Sequence, residues 1–81
     1  MKAQHSKTYK VLPGLLREMR EQANLSQRDL GKILAKPQSF IHNCEIANRR
    51  IEITEFILWA GACGVDPKKA FSRILNALDK A

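Results

Sequence analysis

Apolar residues recur along this chain at helical spacing and almost nowhere at the two-residue spacing of a strand. On a helical wheel, Leu12, Leu15, Leu16, Met19 and Ala23 fall within one narrow arc. That predicts an amphipathic helix over about 12–23, with Pro13 tolerated in its first turn and Arg20 at the edge of the apolar arc. Asn24 and Leu25 break the pattern. Ser26-Gln27-Arg28-Asp29 then reads as a fresh start, with Ser26 as cap and Asp29 favourably placed in the first turn. Leu30, Ile33 and Leu34 share one stripe, so a second, short helix covers about 27–34. Ala35-Lys36-Pro37 interrupts it, because the residue before a proline is pushed away from helical angles.

A third helix over about 37–45 has two distinct faces. Going round its wheel, Gln38, His42, Ser39 and Asn43 follow one another on one side, and Phe40, Cys44 and Ile41 on the other. The first face is polar but uncharged, the second apolar. After the basic turn Asn48-Arg49-Arg50 comes a fourth helix, about 53–63. Ile53, Phe56, Ile57, Leu58, Trp59, Ala60, Ala62 and Cys63 make it apolar nearly all round, so it is expected at the centre of the core. Gly64 ends it, and Asp66-Pro67 opens a fifth helix over about 67–79. There Ala70, Phe71, Ile74, Leu75, Ala77 and Leu78 share a wide apolar arc, a little under half of the wheel. The fold class is therefore all-α: five helices in a folded unit over 11–81, preceded by a flexible basic arm, 1–10.

Charge sharpens this picture. Fourteen Lys and Arg against eight Asp and Glu give a net +6. Residues 1–10 carry +3 (Lys2, Lys7, Lys10), and residues 28–50 carry another +3 (Arg28, Lys32, Lys36, Arg49 and Arg50 against Asp29 and Glu45). The segments 11–27 and 51–81 cancel. A basic excess confined to the arm and the middle of so small a domain points to a polyanionic partner, usually nucleic acid.

Helix 27–34, a three-residue break and helix 37–45 form the layout of a helix-turn-helix. A helix that only needed solubility would cover its outer face with Glu and Lys. This one shows Gln38, Ser39, His42 and Asn43. Gln and Asn each offer a donor and an acceptor in one plane, matching adenine N6 and N7 in the major groove. These four are the candidate base-reading residues. Arg28, Lys36, Asn48, Arg49 and Arg50 surround them as candidate phosphate contacts, with two helix N-termini beside them. The arm could track the DNA backbone or enter a minor groove.

The run Leu16-Arg17-Glu18-Met19-Arg20-Glu21-Gln22-Ala23-Asn24-Leu25-Ser26-Gln27-Arg28-Asp29-Leu30 resembles the opening of the Xre, or lambda-repressor-like, helix-turn-helix family. Pro37-Gln38-Ser39-Phe40-Ile41, Glu45, Arg49-Arg50, Glu55-Phe56 and Gly64-Val65-Asp66-Pro67 continue it, so the likeness covers about 12–75. It implies a compact five-helix lambda-repressor-like bundle whose third helix enters the major groove of double-stranded DNA, usually as a two-fold dimer on a palindromic operator. It also implies that Gln27 bonds a phosphate and buttresses the third helix. Arg20 and Glu45 would form a largely buried ion pair between the first and third helices, and Ile41 and Cys44 would be core. The chain departs from the family where glycine is usual: Ala35 occupies the turn before the third helix and Ala47 the loop after it, where Asn48 is a candidate for the left-handed residue.

Leu58 and Trp59 lie off the main arc of the fourth helix. With Phe71, Ile74, Leu75 and Leu78 they are read as a homodimer interface. Cys44 and Cys63, with His5 and His42, do not complete a metal-ligand set. No paired carboxylates, no nucleophile with a base and no Gly-rich phosphate loop suggest an enzyme, so neither catalytic residue, cofactor, metal nor small-molecule substrate is expected. No apolar run is long enough to span a bilayer and no signal peptide is apparent, so a reduced, cytoplasmic (nucleoid-associated) protein is expected. The functional expectation is a sequence-specific regulator of transcription, a repressor, working as a homodimer. The alternative is a protein-interaction module on the same fold, an antitoxin subunit paired with a toxin or a coactivator-type bridging factor.

Overall fold

The structure, a computed structural model, describes residues 7–80, and the side chains of 9–79. Five helices follow in chain order: α1 (Lys7–Gln22), α2 (Gln27–Leu34), α3 (Gln38–Glu45), α4 (Ile53–Ala62) and α5 (Pro67–Lys80). No strand occurs among the described residues. The all-α expectation holds, and α2 to α5 begin and end within one residue of the predicted bounds.

α1 does not. It starts at Lys7 rather than near 12, so Lys7–Lys10 are helix and not arm; residues 1–6 of that arm lie outside the described residues. Pro13 is consequently inside the helix rather than in its first turn. Proline has no N–H to give to the preceding turn; here its ring is buried, and α1 is tied down by long-range contacts instead. One of them is Tyr9, whose hydroxyl accepts from the Ile51 amide at 2.9 Å, in the loop before α4.

Leu16 and Met19 of α1, Leu30 of α2, Phe40, Ile41 and Cys44 of α3, Phe56, Trp59 and Ala60 of α4, and Ala70 of α5 make one core. α1 crosses α3, α4 and α5, while α2 lies between α3 and α4. α4 is less enclosed than its composition predicts. Phe56, Trp59 and Ala60 face inward, but Ile53, Ile57 and Leu58 remain exposed. An apolar wheel without a polar face gives no register, and here two of its flanks stay open.

Trp59 is the main correction. Expected at a dimer interface, its ring has no exposed surface, and its indole Nε1 donates to the Leu16 carbonyl at 3.1 Å. That bond satisfies its polar atom inside the core, so Trp59 has nothing to offer a partner. Three short turns use left-handed residues that are not glycine: Asn24 (φ 60°), Ala35 (φ 55°) and Ala47 (φ 62°). After α3 it is thus Ala47, not Asn48, that turns the chain. Gly64 (φ 74°) ends α4 in the same conformation.

Candidate nucleic-acid interface

The α2–turn–α3 unit is built by close backbone packing. Gly31 lets the Lys36 carbonyl approach so near that an added Cβ would lie 2.7 Å from it. The Lys36 amide donates to the Gly31 carbonyl at 2.8 Å, and Ala35 turns left-handed to permit it. At the other end of α2, Ser26 Oγ accepts from the Asp29 amide and Asp29 Oδ2 accepts from the Ser26 amide, each at 3.0 Å. The bond from the Ser26 amide, seconded by its hydroxyl, holds the Asp29 carboxyl below its ordinary range. The Gln27 and Arg28 amides, at the first two helical positions, have no carbonyl within the helix to bond. α3 starts after Pro37 with no side-chain cap, so its first amides are open too. Two positive helix ends therefore lie beside one surface.

That surface is the outward face of α3. Burying Phe40, Ile41, Cys44 and Glu45 leaves Gln38, Ser39 and His42 exposed and Asn43 half-buried. Gln27 joins this face to the core. Its Nε2 donates to Glu45 Oε1 at 3.1 Å and lies 3.4 Å from His42 Nδ1, while its Oε1 accepts from Gln38 Nε2 at 3.5 Å. Glu45 in turn accepts from Arg20 Nε at 2.6 Å and Nη2 at 3.0 Å, with the two side chains 2% and 10% exposed. Arg20 Nη1 completes its set on the Leu25 carbonyl at 2.8 Å. The hydrogen bond with Glu45 raises the Arg20 pKa further, so this guanidinium is permanently charged. A single network thus runs from α1 through the α3 C-terminus to the half-buried amide of Gln27 and the exposed amide of Gln38.

The basic rim is less uniform than the sequence implies. Arg28 and Arg50 are exposed, and no acidic partner is seen for either guanidinium among the described residues. Arg49 is engaged: Nη1 and Nη2 reach Glu55 at 3.1 and 3.3 Å, and Nη1 also donates to the Arg50 carbonyl at 2.8 Å. Lys36 Nζ lies 4.0 Å from the same carboxylate. Burial alone would raise the Glu55 pKa, but the Glu52 amide and Arg49 outweigh it and leave the carboxyl below its usual range. Asn48 sits against Asn43, its amide donating to the Asn43 carbonyl at 2.9 Å and its side chain 3.5 Å from Asn43 Oδ1.

A helix-turn-helix family model matches residues 16–69, more than half of the chain. Among solved structures, the chain is similar to an XRE-family like protein from Pseudomonas syringae pv. tomato str. DC3000. The two share 34% identity over 90% of this chain and 89% of the other, with a TM-score of 0.82. The chain belongs to the XRE family. No curated protein matches the sequence. The XRE helix-turn-helix is a DNA-binding regulatory fold, generally not an enzymatic one, and the five-helix bundle described above is its architecture.

The remaining expected site residues of this XRE-family domain separate into two groups. Phe71 and Leu75 are exposed on α5, with Ile74 and Leu78 half-buried beside them. Ile53 and Ile57, one turn apart on α4 and absent from the expected interface, extend the same apolar surface, and a groove lined by Ile53, Phe56, Ile57, Pro67 and Phe71 runs between α4 and α5. Leu58 belongs elsewhere, with Leu34, Phe40, Lys36 and Glu55 on the α2 side. Cys44 is buried and Cys63 half-buried, and burial pushes both thiols up. Among the described residues no group of three or more His, Cys, Asp and Glu is placed to hold a metal, and no helix is long and apolar enough to cross a membrane.

Proposed function

We propose that this XRE-family domain is a sequence-specific regulator of transcription, a repressor, that binds a palindromic double-stranded operator in the cytoplasm as a homodimer. The observation that carries the reading is the α3 face: exposed Gln38, Ser39 and His42 beside Asn43, uncharged, and tied through Gln27 to the buried Arg20–Glu45 pair. Donors and acceptors held in fixed geometry read base edges. Gln38 and Asn43 supply planar amides for adenine, while Ser39 lets the helix approach closely.

Phosphates flanking the groove are bound by Arg28 with the open amides at the α2 N-terminus, by Gln27, and by Asn48 and Arg50 after α3. A second copy packs on the α4–α5 surface, where Ile57 is 45% and Phe71 48% exposed. Two-fold pairing there sets the spacing of two α3 helices, and hence of two half-sites. Occupying its site, such a dimer acts by excluding other proteins from it.

Selection from random duplexes with the purified protein tests the reading. The expected result is one enriched sequence with two inverted half-sites about one helical turn apart. Weak, unselective retention of duplex, or none, would overturn it and favour a protein-interaction module on the same fold.

A further inference from the structure

Two of the cations that bracket α3 are not free. Lys36 in the turn before the helix and Arg49 in the loop after it lie over the ring of Phe40, with Lys36 Nζ 5.1 Å and Arg49 Cζ 4.5 Å from its centroid. Both converge on Glu55, a residue of α4 that enters from behind the helix-turn-helix. Its side chain is only 15% exposed, against 44% for each cation. Glu55 Oε1 also accepts from the Glu52 amide at 3.0 Å, which pins the carboxylate at the start of α4. The arrangement copies what a backbone phosphate offers: a fixed anion accepting the paired Nη groups of an arginine.

We propose that Glu55 is an internal substitute for phosphate, which withdraws Lys36 and Arg49 from the DNA backbone and so lowers affinity for duplex of any sequence. It acts through those two side chains without touching DNA. Affinity then rests more heavily on the base contacts of α3, because counterion release from phosphate contacts is the sequence-independent share of binding. The inference rests on the DNA-binding reading above and adds to it a residue that limits non-specific retention.

The test is Glu55→Gln, whose amide oxygen can still accept from the Glu52 amide while the charge is gone. Affinity for a random duplex is measured against salt for both proteins. Each newly engaged phosphate steepens the slope of log K on log salt by about 0.9. The expected change is about 1 to 2 in slope and roughly tenfold tighter random-duplex binding near 0.1 M salt. A slope unchanged from a wild type that does bind would overturn the proposal alone. A wild type that fails to bind any duplex even at low salt would overturn the DNA-binding reading and the proposal together. A second measurement uses the wild type only and does not depend on the variant folding: guanidinium signals in nitrogen-edited spectra on adding random duplex. Arg50 should shift while Arg49 stays in place; an Arg49 shift as large as that of Arg50 would overturn the proposal.

Discussion

Replacing Arg20 by Met leaves the Glu45 carboxylate in the core without its counter-ion, and the structure sets the size of the effect. Both side chains are almost fully enclosed and the pair is two-pronged, so solvent does not screen it. Breaking a buried pair from one side costs about 3–5 kcal/mol, because a desolvated charge is left behind. Gln27 Nε2 still reaches Glu45 at 3.1 Å, which puts the cost toward the lower end. The half-buried Leu25 carbonyl also loses its donor, a further loss of about 1 kcal/mol that water partly restores. The expected total is about 3–4 kcal/mol, a large part of the stability of a domain this size. That corresponds to a Tm lower by roughly 15–25 °C. Urea unfolding followed by circular dichroism measures it. The double variant Arg20→Met, Glu45→Met, with both charges gone and two apolar chains in their place, should recover at least half of the loss. Either a single-variant cost below about 1 kcal/mol, or a double-variant cost equal to the sum of the two singles, would refute the account of the pair.

Other outcomes follow from the same geometry. Ala35→Gly relieves a left-handed alanine at φ 55° and should stabilise by about 1 kcal/mol, whereas Gly31→Ala should destabilise despite alanine's better helix propensity, since its Cβ meets the Lys36 carbonyl; melting both variants decides the signs. The proposed dimer predicts that the wild type sediments as a dimer and Phe71→Lys, at the same concentration, as a folded monomer; a dimeric variant would remove α5 from the interface, and a monomeric wild type would remove the dimer. The carboxyls of Asp29 and Glu55 sit below their unfolded values, so the stability they add is full above about pH 5 and is lost as pH falls through their folded values. Urea midpoints from pH 7 to 3 should therefore fall on the acid side, and fall less steeply in Asp29→Asn, Glu55→Gln protein.

Local pattern carries much of this structure and stops at identifiable places. α2, α3 and α5 are legible because caps, a proline break and one-sided apolar stripes agree over short windows. The start of α1 is not, because Pro13 reads locally as a helix opening. A signal for the true start exists: Tyr9 falls about 20° from Leu16 on the same wheel, so the apolar stripe extends backward. What fixes Tyr9 is a bond to Ile51, 42 residues away, which no local window contains. Trp59 is misplaced by pattern because an all-apolar helix carries no register, and only the partner carbonyl of Leu16 decides which flank is inside.

The polar face of α3 is readable from its wheel, whereas its support is legible only through the family resemblance, which implies that Gln27 buttresses α3 and that Arg20 pairs with Glu45. By local pattern alone Gln27 is an ordinary polar residue, and its place between Glu45, His42 and Gln38 exists only once α2 and α3 are packed. The charge count misleads in a similar way. Glu55 lies in a segment that sums to zero, yet in space it belongs to the basic block that flanks α3.

The central claim is that Gln38 reads a base from a helix held in place by the fold. Binding of wild type and Gln38→Ala to the selected operator and to random duplex, at one salt concentration, tests it most directly. The account predicts a loss of about 1–3 kcal/mol on the operator and almost none on random DNA. An equal loss on both sequences, or no loss on the operator, would contradict it.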